Sequence, residues 1–237
     1  MDQPTIVSGM VFPSPLAEPC QLQIIELNEI SVAATLLVSA FGSEPAAVAL
    51  FPNPRHRYHY QMITAKILLS SIIPHGSVYG VTCHGELAGI AVWLPPSVNS
   101  GFKWRMTRYL LELVLVSLQF PTALPKALWT QWRDRAVVRK VLRIKREIDT
   151  MTNGQPYWYL KALATKAEFR GRGIAHHLLK QILTHCDQKQ LEVWLDTTEA
   201  VNVSFYQRLG FETVYETEAG KFLPSFWLMR RNPQPIA

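Results

Sequence analysis

Cysteine is scarce in this chain. Cys20, Cys83 and Cys186 are the only three in 237 residues, and they form neither a CxxC pair nor any metal-ligand spacing. That excludes a metal centre built on cysteine and a disulfide-dense scaffold, and the three are read as reduced thiols of a cytoplasmic protein. A long apolar run is also missing. YLLELVLVSLQF at Tyr109–Phe120 falls short of the roughly 18 residues a membrane span needs and contains Glu112, so no transmembrane helix is expected. The opening MDQPTIVSGMVFPSPLAEP is acidic where a secretory leader is basic, and proline interrupts it. No dense Lys/Arg tract is interleaved with aromatics. The formal charge of +6 is therefore too diffuse for nucleic acid and suits an anionic small molecule or a phosphate-bearing cofactor.

What is present is ample apolar content, 48% of residues, enough for the core of one domain with an insertion. Residues 1–20 read as a flexible arm, 21–232 as a single mixed α/β domain, and 233–237 as a tail. QLQIIEL (Gln21–Leu27) reads as a strand, and Leu27–Ala40 has helical spacing with Asn28 or Ser31 as candidate caps. The turn residues of FGSEPAAVALFPNP follow, then a second helix over Arg57–Ile73, closed by Pro74-His75-Gly76. SVYGVTC and LAGIAVWLP, joined by His84-Gly85-Glu86, predict a hairpin. Residues 97–150 are Trp- and Arg-rich helical segments broken by proline and are taken as an insertion. PYWYLKALAT (Pro156–Thr165), LEVWL (Leu191–Leu195), Phe211–Tyr215 and Phe226–Arg230 complete the predicted strands, with a short helix at Val201–Leu209.

The segment RGRGIAHHLLKQIL, Arg170–Leu183, carries the chemistry. Ile174, Leu178, Leu179, Ile182, Leu183 and Cys186 share one helical stripe; His176, His177, Lys180, Gln181 and Thr184 fall opposite. The glycines stand where the helix begins, and a helix N-terminus offers unpaired N–H groups and partial positive charge to an anion. Lys166, Arg170 and Arg172 add formal charge there. A P-loop is excluded, because four residues between glycines and a following Lys-Ser/Thr are absent. A dinucleotide fingerprint fits at Gly171 and Gly173 but has His176 in place of its third glycine. Alone, the segment stays open between a dinucleotide loop, a coenzyme A loop and a plain turn.

Arg170, Gly173 and Ala175 meet the pattern Gln/Arg-x-x-Gly-x-Gly/Ala, and the segment resembles the acyl-CoA signature of the GNAT acetyltransferase superfamily. YLKALAT before it, and LEVWLDT and NVSFYQRLGF (Asn202–Phe211) after it, keep that family's order. AFGSEPAAVALFPNP with GELAGIAVWLPP is similar to the puromycin N-acetyltransferase-like branch. The likeness covers most of 21–232, strongly over 157–231 and loosely over 97–150. It implies a central, mostly antiparallel sheet of six to seven strands flanked by helices.

The resemblance further implies direct acetyl transfer from acetyl-CoA to the primary amine of a small molecule. Arg170, Gly171, Arg172, Gly173, Ile174 and Ala175 would hold the pyrophosphate. Leu163, Ala164 and Thr165 would pair with the pantetheine arm, and a backbone N–H there would meet charge developing on the thioester oxygen. Asn202 would touch the cofactor and Tyr206 would protonate the departing thiolate, a phenol being protonated at neutral pH. Many relatives place a carboxylate near the start of the strand before the loop; here Tyr157, Trp158 and Tyr159 stand there. Asp149, Asp196, Glu199 and Glu86 are the acids from elsewhere, and the base is left unassigned. Two other readings are a non-catalytic acyl-CoA sensor and a protein lysine or N-terminal acetyltransferase.

No metal is expected, since His176, His177 and His185 have no acidic or Cys partner at ligand spacing. His56 and His59 read as surface residues. The stripe Phe102–Phe120 reads as packing on its own domain, a second copy or the acceptor pocket in preference to a membrane surface. Trp104, Trp129 and Trp132 suit a wall over a small ligand. The protein is expected to be a monomer or homodimer.

Overall fold

A computed structural model describes residues 19–43, 48, 53–99, 146–218 and 225–235. Two compact units divide the chain, one holding residues up to 99 and from 158 onward, the other residues 100–157. Most of the 97–150 insertion, the first eighteen residues and the last two lie outside the described residues.

The first unit is built on a seven-stranded sheet of order β1-β2-β3-β4-β5-β7-β6. The strands are β1 (Cys20–Ile24), β2 (Val78–Cys83), β3 (Glu86–Leu94), β4 (Tyr157–Thr165), β5 (Glu192–Thr197), β6 (Glu212–Thr217) and β7 (Phe226–Arg231). Five of the six junctions are antiparallel. The remaining junction, β4–β5, is bridged by the helix Ile174–Lys189. The predicted hairpin closes in two residues, His84 and Gly85, both at positive φ (53° and 79°), which matches the right-handed strand twist.

The predicted helices form with shifted ends: α1 (Ile30–Phe41), α2 (Pro54–Ile72), α3 (Ile174–Lys189) and α4 (Ala200–Gln207). Neither Asn28 nor Ser31 caps α1. A 3-10 turn at Leu27–Glu29 precedes it, and the Glu26 N–H donates to the Glu29 carboxylate at 2.9 Å. The acid three residues on satisfies the exposed amide, and β1 ends at Ile24, short of the predicted Leu27.

The sheet separates two cores. On one face α1 and α2 cover Ile25, Val78, Leu87, Ile90, Val92 and Ala164. On the other, α3 and α4 cover Trp93, Trp158, Leu160, Leu195, Phe211 and Met229. Each Leu or Ile sealed there contributes roughly 1.5–3 kcal/mol. A bulge sets the phase of β4: Val92 pairs with Ala162 but Trp93 with Leu160, so Lys161 is extra. The aromatic half of β4 and its small-residue half are thereby re-aimed relative to each other.

Two links were not legible in the sequence. Cys20 lies opposite Cys83 in the β1–β2 register, Cα atoms 4.1 Å apart, and the two form a disulfide. The reading of three reduced thiols is corrected accordingly, because residues 63 apart become cross-strand neighbours; Cys186 alone is free, and buried. Buried Arg231 donates from both Nη atoms to the Asp187 carboxylate, at 2.6 and 2.9 Å, and from Nε to the Leu209 carbonyl at 2.8 Å. It thus ties β7 to the ends of α3 and α4.

Candidate functional site

The loop Lys166–Gly173 leaves the end of β4 through a 3-10 turn, Ala167–Phe169, anchored by buried Phe169. Gly171 and Gly173 both stand at φ +77°, the left-handed region that side chains disfavour. A Cβ at Gly171 would meet nothing within 4 Å, so the requirement there is conformational and not spatial. Gly173 starts α3 without a side-chain cap. The first helical bond runs from the His177 N–H to the Gly173 carbonyl, 3.1 Å, so the amides of Ile174, Ala175 and His176 precede the helical ladder. Those amides, the positive end of the dipole and the exposed side chains of Arg170 and Arg172 make one cationic face. The Arg172 guanidinium lies over the Phe169 ring, 5.2 Å from its centroid. Lys166 does not add its charge freely to this face, because it is paired with Glu86 at the start of β3. The 80-residue separation of that pair explains why the sequence alone missed it.

Gly89 seats the helix. A Cβ there would come 2.6 Å from Ile174 Cγ2 and 3.3 Å from the Ala164 carbonyl, so the first turn of α3 rests directly on β3. Leu163, Ala164 and Thr165 pair with Ala91, Ile90 and Gly89 along one edge of β4. The Lys166 N–H extends that ladder to the Ala88 carbonyl at 2.9 Å. Gln181, expected on the polar side of α3, is buried. Its helical position borders the apolar stripe, and the α3 core closes over it.

On α4, Tyr206 is buried, its ring edge-on to Phe205 and Phe211 at 5.2 and 5.7 Å. Burial first, and the Asp196 carboxylate second, hold its phenol well above the usual tyrosine range, so the hydroxyl keeps its proton. The expected Schellman closure forms: Gly210 is at φ +86°, and the Phe211 N–H donates to the Tyr206 carbonyl at 3.1 Å. Asn202, one turn before Tyr206, donates from Nδ2 to Thr197 Oγ1 at 3.4 Å and is no cap, since α4 starts after Glu199. The Thr197 hydroxyl also accepts from the Glu199 N–H at 3.3 Å. The start of α4 is thus held against the end of β5.

The four acids have different surroundings. Glu86 is paired with Lys166, and Asp149 accepts from the Tyr157 hydroxyl at 3.5 Å within the second unit. Glu199 is exposed at the head of α4. Asp196, at the end of β5, accepts a hydrogen bond from the Tyr159 hydroxyl of β4. Strand alternation with a hydroxyl two residues after a buried strand begins was the available signal for Tyr159, but it does not name the partner. His185 packs edge-on to Trp158 at 6.0 Å, and His176 is exposed. Among the described residues no three His, Cys, Asp or Glu side chains form a metal-binding group, and no helix is long and apolar enough to cross a membrane.

Residues 128–211, which span this loop and helix pair, match the Acetyltransferase (GNAT) family model. This stretch of the chain is similar to the GNAT acetyltransferases. A relative, an uncharacterized N-acetyltransferase of Schizosaccharomyces pombe, is 25% identical over 89% of this chain and 82% of its own length. Two solved acetyltransferase structures share the fold. A histone acetyltransferase HPA2-related protein of Corynebacterium glutamicum has 17% identity and a TM-score of 0.56, covering 92% of this chain and 98% of its own. Drosophila melanogaster polyamine N-acetyltransferase, an enzyme that forms N-acetylagmatine, has 14% identity and a TM-score of 0.55, covering 90% and 99%. The expected mostly antiparallel sheet of six to seven strands is observed, with seven.

Proposed function

We propose that this acetyltransferase moves the acetyl group of acetyl-CoA directly to the primary amine of a small molecule. The observation that carries the reading is the loop Arg170–Ala175: two glycines at φ +77° deliver an uncapped helix start flanked by exposed arginines. That donor set fits a pyrophosphate, whose oxygens take backbone N–H groups where no Cβ intrudes. Leu163, Ala164 and Thr165 supply the strand beside the pantetheine arm. Asn202 steadies the cofactor side of α4, and Tyr206, kept neutral by its surroundings, gives its proton to the departing thiolate. Acetyl-CoA supplies the activated acyl group; the chain's part is to bind, orient and move protons. The likeness to the puromycin N-acetyltransferase-like branch belongs to this proposal, and amines like those acetylated by the fold's relatives are the first acceptors to try.

The test is thiol release from acetyl-CoA across agmatine, spermidine, phenethylamine, amino acids and aminonucleosides, with wild type and Tyr206→Phe side by side. The wild type is expected to turn over at least one amine. The variant should lose about 10²-fold or more in kcat while binding acetyl-CoA as before. Release with no amine above background, despite acetyl-CoA binding, overturns the reading in favour of a sensor.

A further inference from the structure

The sheet separates two proton-handling groups. On β4, Trp158 and Leu160 enter the core under α3 and α4, so Tyr159 between them points to the opposite face. On β5, Val193 and Leu195 enter that same core, so Asp196 also faces away from it. The Trp194 indole donates to Glu192 Oε2 at 2.9 Å, as two residues on one strand face can. Tyr206, by contrast, is part of the α3/α4 core. One face therefore carries the phenol, and the other carries a carboxylate gripped through Oδ1 by the Tyr159 hydroxyl. The two stand close enough for the Asp196 charge to act on the phenol.

We propose that Asp196 is the group that takes the proton from the acceptor amine, and that Tyr159 is the residue positioning its carboxylate. This assignment rests on the acetyl-transfer reading above. With Oδ1 fixed, Oδ2 accepts no hydrogen bond among the described residues, and Asp196 is half-buried, so a proton taken there can pass on to water. Among the described residues, the Tyr159 hydroxyl of β4 bonds to it, and its charge also acts on the Tyr206 phenol of α4. Across on β7 its partner is Leu228, and that strand's cation on this face, Arg230, lies against Trp194.

The protons balance. An ammonium acceptor gives its first proton to Asp196, which releases it to solvent. The freed nitrogen lone pair attacks the thioester carbonyl, and the C–N bond forms as the carbonyl electrons move to oxygen. The C–S bond then breaks, and sulfur leaves with its electron pair and takes the Tyr206 proton. The second nitrogen proton replaces the one Tyr206 gave, so the products are amide, thiol and one proton in solvent.

The pH profile of kcat/KM for Asp196→Asn and the separate kcat and KM of Tyr159→Phe decide the matter, using whichever panel amine the wild type acetylates. Melting temperature and acetyl-CoA calorimetry serve as controls. Asp196→Asn is expected to lose about 10²–10⁴-fold at neutral pH, with the deficit shrinking as rising pH delivers neutral amine. Trifluoroethylamine, already neutral, should show a much smaller deficit where it is a substrate. Tyr159→Phe should lose about tenfold in kcat with the KM for acetyl-CoA unchanged, since the carboxylate no longer has a hydroxyl to hold its orientation. A deficit equal at every pH, or an Asp196→Asn profile like the wild type's, overturns the assignment while leaving acetyl transfer intact. If Asp196→Asn fails to fold, an unchanged kcat in Tyr159→Phe overturns it instead. A wild type that binds acetyl-CoA but acetylates no amine removes both readings together.

Discussion

Glycine acts in two different ways around this site, and the difference governs what a methyl group would do. At Gly171 and Gly173 the backbone is left-handed with open space or one distant atom beside it; at Gly89 the space itself is filled. Placing alanine in the left-handed region costs roughly 1–3 kcal/mol, which the loop relieves by re-aiming its amides. Gly173→Ala should therefore weaken acetyl-CoA binding about tenfold or more by calorimetry, with a melting temperature only a few degrees lower. Unchanged affinity would mean that the loop amides do not hold the anion. These glycines were legible in the sequence because a helix start and a positive φ are local requirements. The engagement of Lys166 by Glu86, and of Asp196 by Tyr159, was not. Those partners are 80 and 37 residues apart, and only strand pairing brings them together.

Among elements, α3 is the one on which the site depends, and β3 fixes where it starts. Its periodicity was readable from Ile174 to Cys186, as were the hairpin and the closing strands, because each repeats an apolar spacing over several turns or pleats. The bulge at Lys161 and the seat at Gly89 left no such trace; one inserted residue and one missing side chain make no period. The seat has a measurable consequence. Gly89→Ala drives a Cβ to 2.6 Å from the branched side chain of Ile174, with the Ala164 carbonyl behind it, so the helix start must lift. The expected result is a loss of about 1–3 kcal/mol in urea unfolding, together with a raised KM for acetyl-CoA. A variant as stable as the wild type would show that α3 can shift at no cost.

At the scale of the whole molecule, burial of acidic hydrogens sets the alkaline limit. Tyr79, Tyr206 and the Cys186 thiol are all held above their ordinary values, 10.0 for the phenols and 9.0 for the thiol, chiefly by burial. The unfolded chain releases these protons first, so it binds fewer than the folded one and stability falls as pH rises. Urea unfolding should show a declining free energy from about pH 9 upward; a flat profile to pH 11 would contradict it. The architecture was legible at this scale through the order of motifs, whereas the covalent link between β1 and β2 was not, since spacing in a sequence does not report cross-strand register. That link gives the first half of the unit a property of its own. With Cys20 joined to Cys83, the backbone from β1 through α1 and α2 to the end of β2 is a closed ring. A single peptide bond cut within it opens the ring but releases neither piece, so a nicked molecule, heavier by one water, stays covalently whole until thiol is added.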